Sequence, residues 1–285
     1  MKKLFLVDVS SMFFRAFYAI PPLSSPSGMP TNALYGFLSM TIKLLREIKP
    51  DYMAFCFDRP EPSFRSQIFP QYKAQRKEMP DDLKPQVPYL RKLTEVLGIP
   101  AIDKLGYEAD DVIGSLVKWG RNFDLEVVIV SGDKDFAQLV SSFVSMYDTM
   151  KNLRYDSQGV VDKWGVTPHQ MVDYLSLVGD SSDNIPGVRG VGPKGAIKLL
   201  AEFKSLDAIY ENIDNISGKA LQTKLRENKE MAFKSRELVK IVEDIDLGFR
   251  LEDLRLKPVD RAMLRNLLAE LGFKKKKKNL FSDEA

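Results

Sequence analysis

Nine acidic side chains carry the chemical interest of this sequence: Asp8, Asp58, Glu108, Asp110, Asp111, Asp133, Asp135, Asp180 and Asp183. Asp8, Asp58 and Asp133 each come at the end of an apolar, strand-like run. A strand ending in an acid places it at the rim of a sheet, and several rims side by side make a pocket of negative charge. Like charges packed this closely repel, and divalent cations neutralise them. Oxygen donors without His or Cys suit Mg²⁺ or Mn²⁺, not Zn²⁺. The competing reading makes each acid a helix cap or a first-turn charge. Three independent strand ends speak against that reading for the whole set. Asp133 and Asp135 point the same way in extended chain. Glu108 and Asp111 share a helix face, as do Asp180 and Asp183, whereas Asp110 must reach the pocket from the helix start. The single histidine, His169, lies in a helical stretch, and the single cysteine, Cys56, in an apolar run, so no Ser-His or Cys-His pair suggests a covalent intermediate.

The positioning elements follow from periodicity. Continuous apolar runs predict strands at Lys3 to Val9, Asp51 to Phe57 and Glu126 to Val130, with shorter ones at Ile99 to Ile102 and Val144 to Tyr147. Helices are expected from Thr31, as cap, to about Ile48, over Leu83 to Leu97, over Glu108 to Trp119, from Asp135 to Val140 and over His169 to Val178. Alternating strands and helices predict an α/β fold with a mainly parallel central sheet, and its ligands sit at the carboxyl ends of the strands. After Asp156 the apolar runs stop, and the rest to about Leu271 reads as helical and amphipathic. The expected organisation is a core over 1–160, a helical subdomain over 161–272 and a basic tail over 273–285.

Composition bounds the function. The 285 residues are 44% hydrophobic and 28% charged, ordinary globular material with room for a core. Net charge is only +3, from 42 basic against 39 acidic residues. One cysteine excludes an internal disulfide and points to a reducing cytoplasm. No signal peptide and no apolar stretch of membrane-spanning length is visible, so no membrane partner is expected.

Two stretches look like grips. From Arg59 to Pro88, prolines interrupt any periodicity, and Arg59, Arg65, Lys73, Arg76 and Lys77 stand among Phe64, Phe69 and Tyr72. Aromatics with cations suit a single nucleic-acid strand; the alternative is a solvated loop. The second stretch runs Gly187-Val188-Arg189-Gly190-Val191-Gly192-Pro193-Lys194-Gly195. Its glycines permit tight turns, and the helix starting near Pro193 offers free amides to a phosphate. Glycines in a hairpin followed by Lys194 and a helix predict a helix-hairpin-helix contact to the DNA backbone, without base information.

Leu-Val-Asp-Val-Ser-Ser with Arg15, Phe-Asp-Arg-Pro with Ser-Phe-Arg, Tyr-Lys-Ala-Gln-Arg, Gly-Tyr-Glu-Ala-Asp-Asp-Val, Ser-Gly-Asp-Lys-Asp and Gly-Asp-Ser-Ser-Asp-Asn-Ile-Pro-Gly-Val-Arg-Gly-Val-Gly occur in that order. In these motifs, over about residues 3 to 272, the chain resembles the 5′→3′ exonuclease / flap endonuclease family and the 5′-nuclease domain of bacterial DNA polymerases. The resemblance implies cleavage at 5′ ends and flaps of branched duplex DNA, in replication and repair, leaving a 5′-phosphate. It implies a first ion held by Asp8, Asp58, Glu108 and Asp110 and a second by Asp133, Asp135 and Asp183, with Asp110 between and Asp111 and Asp180 nearby. It makes 59–88 a helical arch over the 5′ strand, with Lys73 and Arg76 on the scissile phosphate and Tyr72 stacked on a base. Arg15 and Arg65 join Gly187, Arg189, Gly190, Gly192 and Lys194 as DNA contacts, with K⁺ at the hairpin. An RNA primer in an RNA–DNA hybrid, a DNA polymerase and a sliding clamp are the implied partners of a monomer. Competing readings are an inactive branched-DNA-binding module of the same fold and an RNA-cleaving nuclease; loss of acids would mark the first, and the second does not account for the glycine hairpin. Lys274 to Lys278, with Leu280 and Phe281 behind, read as a solvated end or a basic arm along the duplex.

Overall fold

The computed structural model describes residues 1–273; the lysine tail lies outside the described residues. Six strands form one sheet: β1 (Lys3–Asp8), β2 (Tyr52–Cys56), β3 (Ala101–Ile102), β4 (Glu126–Val130), β5 (Val144–Asp148) and β6 (Leu153–Tyr155). The order is β3-β2-β1-β4-β5-β6, parallel except for the β5–β6 pair. The helices are α1 (Val9–Ala19), α2 (Asn32–Ile48), α3 (Phe64–Ile68), α4 (Val87–Val96), α5 (Ala109–Arg121), α6 (Ser157–Trp164), α7 (Met171–Val178), α8 (Pro193–Phe203), α9 (Leu206–Glu211), α10 (Lys219–Glu227), α11 (Lys229–Val239) and α12 (Arg261–Glu270).

Strand periodicity of two distributes β1 between two cores. Phe5 and Val7 face one side with Met53, Phe55 and Val128, under α1, α2, α4 and α12. Leu4 and Leu6 face the other with Ala54, Ile129 and α5, continuous with the core of the helical half. All four β1 residues are fully buried, which is why the run is apolar on both faces. Each such side chain contributes roughly 1.5–3 kcal/mol by burial. The order of strands reverses direction between β1 and β4, which places a crevice at their carboxyl ends, beside Asp8 and Asp133.

Three expectations are corrected. Asp133 and Asp135 are not in extended chain: Asp133 caps a 3-10 turn, Lys134–Leu139, by accepting from Asp135 N at 3.1 Å. Asp180 and Asp183 do not share a helix, because Gly179, at φ 78°, ends α7 and a tight loop follows, closed by the Asp180–Ile185 bridge. The chain from Lys240 to Arg250 is an irregular strap, not helix. It lies on α5, where Val242 N and Ile245 N donate to Asp111 and Ser115, and Ile241 N donates to Gln138 of the 3-10 turn. Gly114 makes this approach feasible: a Cβ there would stand 2.4 Å from Ile241 Cγ2.

Candidate active site

At the switch point the local chemistry of each strand end sets the position of its acid. Asp8 caps α1, accepting from Ser11 N at 3.0 Å and from Ser131 Oγ at 2.9 Å. Asp58 accepts from Ser10 Oγ at 2.6 Å and from Ala109 N at 2.9 Å, which ties β2 to the start of α5. Glu108 is the N-cap residue of α5, and Asp110 lies in its first turn. Asp8, Asp58, Glu108, Asp110, Asp133 and Asp183 line one cleft of about 790 Å³, together with Arg15, Lys73, Arg76 and Lys134. Two halves of the chain meet there, because Asp183 comes from the loop after α7.

The charge in this cleft is not balanced by the protein. Burial pushes the Asp8 carboxyl up to about 7, and the charges of Asp58 and Asp133 add to the shift. Burial, with Asp133 adding, pushes Asp135 up to about 8. Asp110 is raised well above the ordinary range by burial, then by Asp8 and Asp133. Carboxyl oxygens of Asp135, Asp180 and Asp183 lie within 4.8 Å of one another. Asp135 Oδ1 is buried with no hydrogen-bond partner among the described residues. A buried, unpartnered carboxylate oxygen beside two further acids fits a hard divalent cation.

The charge of Asp133 acts on Asp8, on Asp110 and on Asp135. Asp180 is satisfied within the protein: Lys134 Nζ donates to Oδ2 at 2.7 Å, and Ser182 N and Oγ donate to Oδ1. Burial would raise this carboxyl, but those donors hold it below its usual value.

Cations line the same cleft. Lys73 Nζ donates to Glu108 Oε1 at 2.8 Å and lies 3.6 Å from Asp183. Arg76 donates to Asp183 Oδ1 at 2.6 Å. Burial works against both charges, yet Glu108 and Asp183 for Lys73, and Asp183 for Arg76, outweigh it and raise both groups. Arg15 crosses Gly132, where a Cβ would stand 2.0 Å from the guanidinium, and donates to Asp148 at 2.9 Å.

Three expected site residues have other work. Arg65 is 2% exposed, inside the protein and not on a DNA-facing surface. It makes a two-pronged pair with Asp111 at 2.7 and 2.8 Å and donates to the carbonyls of Leu238 and Lys240. Asp111, fully buried, also accepts from Glu108 N and Val242 N, so its oxygens are spent on joining α3, α5 and the strap. Tyr72 is 7% exposed, with its hydroxyl on Glu108 and Asp183, and its ring is not presented for stacking on a base. Burial first, then the two carboxylates, pushes its phenol well above the usual value. Sequence reasoning missed Lys134, Ser10 and Ser131 as partners of the acids. Lys134, between Asp133 and Asp135, was the one with a signal.

The glycine stretch lies apart from the cleft. Gly187 and Gly179 pass backbone to backbone: a Cβ on Gly187 would stand 2.4 Å from Gly179 N. Val188 and Val191 are buried, while Arg189, Gly190, Gly192 and Lys194 are exposed. Gly192 precedes α8, whose first amides have no side-chain cap.

Residues 3–165 match the 5′-3′ exonuclease N-terminal, resolvase-like domain, and residues 166–262 match the 5′-3′ exonuclease C-terminal SAM fold. The chain belongs to the 5′-3′ exonuclease family. Within that family, it is 40% identical to a 5′-3′ exonuclease of Aquifex aeolicus over 274 residues, which cover 96% of this chain and 93% of that one. It is 44% identical to DNA polymerase I of Caldicellulosiruptor bescii over 278 residues, 95% of this chain but 33% of the polymerase. The chain thus spans about a third of the length of such polymerases. The fold is similar to that of T5 5′-exonuclease with bound zinc, at 22% identity and a TM-score of 0.70, covering 95% and 100% of the two chains. It is also similar to the catalytic core of Rad2 in complex with DNA substrate, at 20% identity and a TM-score of 0.67, covering 98% and 91%. Among the described residues, no helix is long and apolar enough to cross a membrane.

Proposed function

We propose that this member of the 5′-3′ exonuclease family cuts DNA phosphodiester bonds at 5′ ends and 5′ flaps of branched duplexes, with two Mg²⁺ or Mn²⁺ ions. The observation that carries the proposal is one cleft lined by carboxylates, with Lys73, Arg76 and Arg15 among them. Asp8, Asp58, Glu108 and Asp110 would hold one ion, Asp135 and Asp183 the other, with Asp133 between. Bound there, such ions supply an activated water at neutral pH and charge stabilisation for the leaving oxygen. Lys73 and Arg76 then place positive charge where negative charge develops on the phosphate. Arg15, anchored on Asp148, is aimed to hold a neighbouring phosphate.

The Gly187–Gly195 stretch acts as a helix-hairpin-helix grip. The amides before α8, with Arg189, Lys194 and a K⁺ ion, take the duplex backbone without reading bases. Residues 59–88 form the arch over the 5′ strand, and the helical subdomain follows the core from about residue 161, with α12 packed back on the sheet core. Flap and primer removal in replication and repair follows from this chemistry, with RNA–DNA hybrid as a further substrate and a polymerase or sliding clamp as partner. The inactive-module reading is disfavoured by the acids themselves, since all nine are present and Asp135 Oδ1 still lacks a partner. A labelled 5′-flap duplex should be cut near the branch in Mg²⁺ and left intact in EDTA. Tight binding of the flap without cleavage in Mg²⁺ or Mn²⁺ would move the chain to the inactive class.

A further inference from the structure

The Tyr72 hydroxyl lies 3.0 Å from Glu108 Oε2 and 3.1 Å from Asp183 Oδ2. These acids belong to different groups in the cleft and to different halves of the chain. A phenol has one proton to donate, and at near-equal distances it serves either oxygen, as a peg between them. The turn that carries the peg is fastened to the loop that carries Asp183. Lys73 N donates to Asp183 O at 2.9 Å, Asn184 Nδ2 donates to Gln71 O at 2.7 Å, and Gln75 reaches the Ser181 carbonyl. Lys73 and Asn184 both have left-handed backbones, φ 57° and 58°. For Lys73 such a backbone persists only where the surroundings over-determine it.

Lys73 also spans Glu108 and Asp183, but as a charge. Once Lys73 turns to a phosphate, the neutral Tyr72 is the group that still spans both acids. We infer that Tyr72 is a positioning residue whose hydroxyl sets the spacing of the two groups of metal-holding acids. Its ring, packed in the core below Lys73, does not stack on the substrate. The inference rests on the two-ion reading above.

Tyr72→Phe removes the hydroxyl and keeps the ring. Donors behind metal ligands are typically worth 10–100-fold in metal affinity. Calorimetric titration of the DNA-free protein with Mn²⁺ should show two ions in the wild type, and the weaker of them bound about 10-fold less tightly in Tyr72→Phe. The Mn²⁺ concentration for half-maximal flap cleavage should shift in parallel, with kcat at saturating Mn²⁺ and KM for the flap little changed. A superimposable isotherm for Tyr72→Phe overturns the inference, whatever happens to its melting temperature in EDTA. Tyr72→Leu supplies the second arm: a raised KM for the flap with an unchanged Mn²⁺ isotherm would make the ring a substrate contact and also overturn it. One ion in the wild type would sink the two-ion reading and this inference together; two ions with an unchanged variant would sink this inference alone.

Discussion

In the sheet cleft, Asp8 and Asp135 carry pKa values pushed up to about 7 and 8, and Asp135 Oδ1 has no partner among the described residues. In the glycine-rich stretch 187–195, Val188 and Val191 are buried, and Arg189, Gly190, Gly192, Pro193 and Lys194 are exposed. The first region stores repulsion that a cation relieves; the second stores none and offers backbone to whatever approaches. A site for chemistry concentrates charge at a cost in stability, while a site for holding can be neutral and cheap to fold. The fastening of Arg65 to Asp111 shows the third condition: there each charge is paired and all the donors are used, and the pair serves to join elements.

That contrast can be broken most severely at Asp183. Asp183→Ala should lower single-turnover flap cleavage by about 10³-fold, the scale of several kcal/mol of transition-state stabilisation. Flap binding in Ca²⁺ should survive, because removing an acid does not weaken attraction for phosphate. Near wild-type cleavage in saturating Mg²⁺ would remove Asp183 from the metal set.

Next in size are the cations facing the acids. Lys73→Ala or Arg76→Ala should lower the single-turnover rate by about 10²-fold and duplex affinity far less. Loss of affinity with an unchanged rate would make them general basic surface.

The hairpin should respond through binding alone, and its glycines should separate. Gly192 has φ −93° and open space around its Cβ position, so Gly192→Val should leave the melting temperature unchanged. Its duplex affinity should fall about 10-fold, or about 1.4 kcal/mol, equally for every sequence. Gly190 has φ 83°, and a Cβ there would stand 2.8 Å from Lys224 Nζ. Gly190→Val should itself lose about 1–2 kcal/mol of stability, measured by denaturant unfolding. Sequence-selective loss at Gly192 would exclude a backbone contact.

The smallest expected effect is in pH. The folded-state values of Asp8 and Asp135 are raised, to about 7 and about 8, above an ordinary 3.8. Their contribution to stability is therefore complete below about pH 4 and is lost as pH rises through 7 and 8. In EDTA the melting temperature should fall between pH 5 and 9, on the order of a few degrees. A divalent cation should remove the fall. A flat profile in EDTA would mean that the cleft carries no stored repulsion.

How far each part was legible follows from the range of the forces that place it. Strand β4 and the acid rim could be read because apolar runs buried on both faces and ending in Asp are local patterns. The glycines at 187 and 190 could be read because only a backbone free to take positive φ fits there. Asp111 had the same local appearance as Asp110, three bonds of chain away from it. Only the arrival of Arg65, 46 residues distant, and of Val242 N turned it from a ligand into a fastening.

The residue types alone determined that this chain has a mainly parallel sheet, an acid rim without nitrogen or sulfur donors, and a glycine-rich stretch in its second half. Each is a matter of composition and short spacing. Tertiary structure decided which acids remain unsatisfied, that Asp180 is paired with Lys134, and that Tyr72 points inward to Glu108 and Asp183. Those outcomes depend on which donors from distant segments reach each oxygen first, and chain spacing carries no record of that.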